Sequence, residues 1–118
     1  MGGARFPHAA RVTRPADFLR LRRTGQRIGV RHFNAQATDG ATDIARLGLA
    51  VSRRVSTDAV RRNRIKRIAR ESFRAVRGRL PAIDILLIAR ESADAHDNAA
   101  FRADFESLWR RLAAFARD

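Results

Sequence analysis

Residues Ala59 to Arg74 constrain this chain more than any other stretch. Six cations fall between Arg61 and Arg70, and apolar residues recur among them at helical spacing. At 3.6 residues per turn, Ile65, Ile68, Ala69, Ser72 and Val76 share one side of a helix. Arg67, Arg70, Arg74 and Arg77 lie opposite, with Arg64 and Lys66 flanking them. Such a helix docks on a core with one side and offers the other to a polyanion. Arg61, Arg62 and Asn63 fall in its first turn, where Asn63 can bond phosphate, ribose, a base edge or the local backbone. A helix charged only for solvation interleaves both signs for i,i+4 pairing, and here Glu71 is the single acid nearby.

The rest of the composition agrees with that reading. The chain has 25 basic and 12 acidic residues in 118, a formal net charge of +13. Self-repulsion on that scale predicts a polyanionic partner. Lys66 is the only lysine, and the arginine fork suits bidentate phosphate contacts and stacking on bases, although a bias toward arginine codons would produce the same ratio. An anionic membrane would call for exposed bulky apolar residues along an amphipathic helix, a pattern absent here. The longest apolar run, Ile85 to Ala89, has the length of a strand, far short of a membrane span. Without cysteine, disulfides and thiolate metal sites are excluded. The N-terminus has no secretory segment, which predicts a cytoplasmic protein.

Length predicts one domain over residues 1–118, with residues 1–13 an irregular basic arm. Pro15 and Asp17 mark a helix start, and Gly25 its end. Residues 26–37 alternate as a strand, with a phase change between Val30 and Phe33 that predicts a bulge or bend. After a turn at 38–43, Leu47, Leu49 and Val51 mark a strand expected to pair antiparallel with the first. Ser56 or Thr57 should cap the basic helix, which should run to about Arg77 and end at Gly78 and Pro81. Ile83 to Ala89, apolar on both sides, predicts a central strand. A polar loop with Asp97 as cap should precede a last helix carrying Phe101, Phe105, Leu108, Leu112 and Phe115. The order α-β-β-α-β-α implies an α+β fold, an α/β sandwich with one small sheet.

A helix that reads a DNA groove would want several base-reading residues and a helix-turn-helix setting. Only Asn63 qualifies, and a strand precedes the helix, so RNA recognised by shape and backbone fits better and DNA is not an expected partner.

Arg61-Arg62-Asn63-Arg64-Ile65-Lys66-Arg67, followed by Arg70-Glu71 and Phe73-Arg74, resembles the signature of the bacterial ribonuclease P protein subunit. Phe6-Pro7, Pro15 to Phe18, Leu47 to Ser52 and Leu108 to Arg111 fall where that family has comparable segments. The resemblance implies a small mixed sheet with a left-handed β-α-β crossover, a fold like domain 2 of ribosomal protein S5. It also implies that a catalytic RNA, using magnesium, removes the 5′ leader from precursor transfer RNA. The protein then binds both that RNA and the leader, raising affinity for substrate and metal.

Carried onto this chain, Arg61, Arg62, Asn63, Arg64, Lys66, Arg67, Arg70 and Arg74 would dock on the catalytic RNA. Phe18, Arg22, Phe33, Ser52 and Arg54 would line a leader cleft between the sheet and the first helix. Core packing is the plain alternative for Phe18 and Phe33. Many members of the family carry a second aromatic where this chain has Arg22, whose guanidinium can also stack on a base.

No catalytic or metal-binding set stands out. A metal-dependent nuclease needs converging carboxylates, and the acids here are scattered apart from Asp94-Ala95-His96-Asp97, which reads as a loop and helix cap. His8, His32 and His96 sit in three separate segments, so nothing supports an acid–base pair. Magnesium is expected mainly on the RNA subunit and substrate. Two rivals remain: a ribosomal or assembly protein that grips structured RNA, and a self-sufficient nuclease.

Overall fold

The computed structural model describes residues 10–40, 42–95 and 98–115. The elements run α1 (Pro15–Thr24), β1 (Gln26–Gly29), β2 (Phe33–Asp39), β3 (Arg46–Ala50), α2 (Ala59–Val76), β4 (Ile83–Ala89) and α3 (Asn98–Ala113). Short 3₁₀ turns follow α2 at Arg77–Arg79 and precede α3 at Glu91–Ala95.

The stretch expected to be one bent strand is two. Val30 N–H donates to the Phe33 carbonyl at 2.9 Å, reversing the chain so that β1 pairs antiparallel with β2. The phase change is therefore a hairpin turn, and Ile28 and Ala35, paired across it, are both buried. The sheet order is β1-β2-β4-β3. Contrary to expectation, β3 pairs with neither earlier strand; it lies parallel to β4 at the sheet edge, with α2 as the crossover. The reason lies in β4. Ile83, Ile85 and Leu87 face one side, and Leu86 and Ile88 the other. Only an interior position covers both faces, so β4 inserts between β2 and β3.

Residues 10–12, expected to belong to the arm, join the fold. Ala10 is fully buried, Arg11 bridges in parallel to Leu47, and Val12 N–H donates to the Leu47 carbonyl at 3.0 Å. The remainder of that arm, with Phe6 and His8, lies outside the described residues, as do His96 and Asp97.

Helices α2 and α3 cover one face of the sheet. Ile65, Ala69 and Phe73 of α2 and Phe101, Phe105, Leu108 and Leu112 of α3 are buried there. Phe33 packs edge-on to Phe101 with ring centroids 5.3 Å apart, and Trp109 donates Nε1–H to Ser72 Oγ at 2.7 Å, tying α3 to α2. Phe115 lies beyond the end of α3 but still packs on this core. Asp58 caps α2, in place of Ser56 or Thr57, accepting from Val60 N–H at 2.9 Å. Ser56 Oγ instead accepts from the Asp58 N–H.

Candidate nucleic-acid interface

The register of the sheet sets out its other face as three rows. Arg46, Asp84 and Thr38 form the first. Gly48, Leu86, Gln36 and Arg27 form the second, and Ala50, Ile88, Asn34 and Gly29 the third. Helix α1 lies over the first two. Arg20 reaches Asp84, Leu21 is buried against Leu86, and the Phe18 ring rests on Gly48. A Cβ at Gly48 would sit 2.9 Å from Phe18 Cε1 and 3.1 Å from Val12 Cβ, so glycine is what lets helix and strand approach. The third row is left open, with Asn34, Ile88 and Ala50 only half-buried.

A buried ion network holds α1 in this seat. Asp84 is 0% exposed. Arg46 grips it with a two-pronged fork, Nε to Oδ1 at 2.8 Å and Nη2 to Oδ2 at 2.6 Å, and Arg20 of α1 donates to Oδ2 as well. The hydrogen bond to Asp84 raises the Arg46 pKa above the ordinary arginine value against the opposing effect of burial. Asp17 lies 3.6 Å from each guanidinium and closes the network from the first turn of α1.

The residues proposed for the cleft divide. At 100° per residue, Phe18 and Arg22 lie on the flank of Leu21 away from Arg20, hence beside the open row. Phe18 is half-buried and Arg22 exposed. Ser52 and Arg54 are exposed just past the end of β3, where Ser52 Oγ accepts from the Arg54 N–H. Phe33 does not belong with them. It is 1% exposed and points to the opposite face, against Phe101 and Phe105. A strand alternates its faces, and the core face takes the aromatic. Asn34, Ala50 and Ile88 line the cleft without having been singled out from the sequence; the alternation on each strand marks their face but not that α1 leaves it uncovered.

The cationic residues of α2 spread over three directions. Asn63 and Arg67 are exposed on the outer face, where Arg67 lies 3.9 Å from Glu71. Arg61, also exposed, bonds Asp94 of the 3₁₀ turn at 3.1 Å, which partly neutralises it. Arg62 donates to the Ser56 carbonyl at 2.8 Å, and Arg64, Lys66 and Arg74 are half-buried. Arg70 turns toward α1: with Arg11, Phe18 and Gly48 it lines a groove of about 270 Å³ that adjoins the cleft at Phe18. Burial there, and then the nearby Arg11 guanidinium, lower its pKa from the ordinary arginine value, which leaves it charged at neutral pH. Arg11 was hidden by the expectation of an irregular arm. Val60, 76% exposed in the first turn of α2, sits beside the cations as an apolar contact.

Among the described residues no three His, Asp or Glu side chains converge as a metal site, and no helix is long and apolar enough to cross a membrane. His32 is buried, its Nδ1 2.9 Å from Ser92 Oγ. The arrangement is a cationic helix beside a cleft with an apolar floor and basic edges.

Comparison with known proteins points the same way. A sequence model of the family described as Ribonuclease P matches residues 6–113. The ribonuclease P protein component of Thioalkalivibrio sulfidiphilus is 37% identical over 107 residues, covering 91% of this chain and 89% of its own. The solved RNase P protein of Staphylococcus aureus superposes with a TM-score of 0.81 at 31% identity, over 86% of this chain and 93% of that one. The RNase P protein from Thermotoga maritima gives a TM-score of 0.74 at 30% identity, over 90% and 97%.

Proposed function

The chain belongs to the ribonuclease P protein family, as a protein component of that holoenzyme, and from this premise we propose how it serves the RNA. It binds the catalytic RNA through α2 and the 5′ leader of precursor transfer RNA through the α1 cleft. By holding both, it raises the affinity of the assembly for substrate and for magnesium, which the RNA subunit and substrate mainly hold. The polypeptide supplies binding, and the RNA supplies the cleavage.

The observation that carries this reading is that the cationic helix reaches α1 at Arg70, which with Phe18 lines a groove adjoining the cleft. Outward cations on α2, with Asn63, meet the phosphates and riboses of a folded RNA. In the cleft, Ile88, Ala50 and Phe18 offer apolar contact to an unpaired base, while Arg22 and Arg54 track its backbone. Arg70 and Arg11 then face a phosphate where the strand passes from one surface to the other.

Reconstitution tests the proposal. Cleavage of precursor transfer RNA is measured with the catalytic RNA alone, the protein alone and both together, across magnesium concentrations and leader lengths. The protein should lower the magnesium requirement and favour long leaders, and should not cleave by itself. Robust cleavage by RNA-free protein, or an unchanged magnesium requirement, would overturn the proposal.

A further inference from the structure

A second groove, of about 500 Å³, runs between α2 and α3 on the far side of the sheet from the leader cleft. Its floor is apolar, made by Ala75, Val76, Leu80 and Ala113 with Trp109. The Trp109 ring stacks on Phe105, with planes 14° apart, and also packs on Phe73, so only a small part of the indole, 5% exposed, is left to the groove. Around the rim stand Arg79, Arg102 and Arg110, all exposed, and one acid, Glu106. Arg102, Glu106 and Arg110 are spaced for i,i+4 pairing along α3, yet no hydrogen bond or ion pair forms at any of the four rim charges among the described residues.

We propose that this groove is a second RNA site, which takes an unstacked base of a single strand with its flanking phosphates on the three arginines. The size suits it, since small-ligand sites enclose roughly 300–1,000 Å³. The apolar floor suits the flat face of a base and would repel a sugar–phosphate backbone. Three cations against one acid favour phosphate at the edges. Glu106, an acceptor only, is placed for an amino or ring N–H of the base. The α1 cleft lies across the sheet, so occupancy of both sites requires two separate RNA segments. An acidic amphipathic peptide would match the same rim, but the partner of this family is RNA.

Trp109 is the only tryptophan in the chain, so its emission reports this groove directly. The full-length protein is titrated with a single-stranded RNA of about six nucleotides, with an abasic strand of equal length, and with an acidic peptide. The RNA should quench Trp109 saturably. With three phosphate contacts on a single strand, affinity should fall about 20-fold between roughly 50 and 200 mM salt. The abasic strand should leave the emission unchanged. Arg102→Ala with Arg110→Ala should weaken the quench about tenfold or more, while magnesium-dependent activation of the ribozyme, measured separately, reports the α2 surface. An unquenched Trp109 at saturating RNA, equal quenching by the abasic strand, or unchanged affinity in the double variant would overturn the proposal. Quenching by the acidic peptide and not by RNA would assign the groove to a protein partner and refute it equally.

Discussion

Replacing Asp84 with alanine should be among the most damaging single changes in the protein. The carboxylate is fully buried and takes three hydrogen bonds from two guanidiniums, Arg46 being itself only 12% exposed. Removing it leaves Arg46 and Arg20 with only Asp17, part-exposed and 3.6 Å from each, as counter-charge, and breaking such a buried pair costs about 3–5 kcal/mol. That is a large part of the roughly 5–15 kcal/mol that holds a domain together. For a chain of this length it amounts to a fall in Tm of about 10–20 °C. Thermal unfolding followed by circular dichroism measures it. Arg20→Ala should cost much less, because Arg20 is one-third exposed and Arg46 retains both carboxylate oxygens. Asp84→Leu combined with Arg46→Met should recover much of the loss, since an apolar pair of similar volume often replaces a buried ion pair without penalty. A fall of less than about 3 °C for Asp84→Ala, or a double variant no more stable than the single, would refute the reasoning. The network also seats α1, so folded Asp84→Ala should lose affinity for long-leader substrate before it loses affinity for the catalytic RNA.

Arg62→Ala with Arg64→Ala should weaken docking on the catalytic RNA and reduce the salt slope of binding by roughly 0.7–0.9 for each phosphate that is no longer neutralised; Arg31→Ala, in the β1–β2 turn, is the control and should change neither. Phe33→Ala should cost about 3–5 kcal/mol in denaturant unfolding and leave leader affinity per folded molecule unaltered, whereas Phe18→Ala should weaken long-leader binding at a smaller stability cost. Gly48→Ala should force Phe18 aside, costing about 1–3 kcal/mol, and should lower affinity for long leaders relative to leaderless substrate in the same assay.

Elements with a strong period were legible in the sequence, and their neighbours were not. The limits of β4 fall where its apolar run predicts, and α2 ends within a residue of the expected Arg77. The partner of β3 is not legible in its sequence, because alternation specifies which side chains share a face, not which strand lies alongside. Pairing was decided by β4, a later segment whose two apolar faces needed the interior position. Phe33 was misplaced for a related reason. Its alternation with Ala35 and Ala37 was visible, but only the docking of α3 makes that face the core and the other the cleft.

The cations of α2 do not form a single face for a related reason. Centring the helix on Ile65 leaves Phe73 aside, yet Phe73 is fully buried and packs on Trp109. The buried residues Ile65, Ala69 and Phe73 shift the core axis by about 40° at 100° per residue. That rotation carries Arg70 to the flank that lines the groove beside the cleft and leaves Arg61 on the flank that meets Asp94. Arg67 then points furthest outward, and Asn63, one turn earlier, is exposed as well. One aromatic residue thereby divides a uniform run of charge into an outer face, an arginine turned to the groove beside the cleft and an arginine partly neutralised by Asp94. Mutational effects on RNA binding should follow this division and not the order of the cations along the chain. Arg70→Ala should therefore depend on leader length, while Arg67→Ala should not.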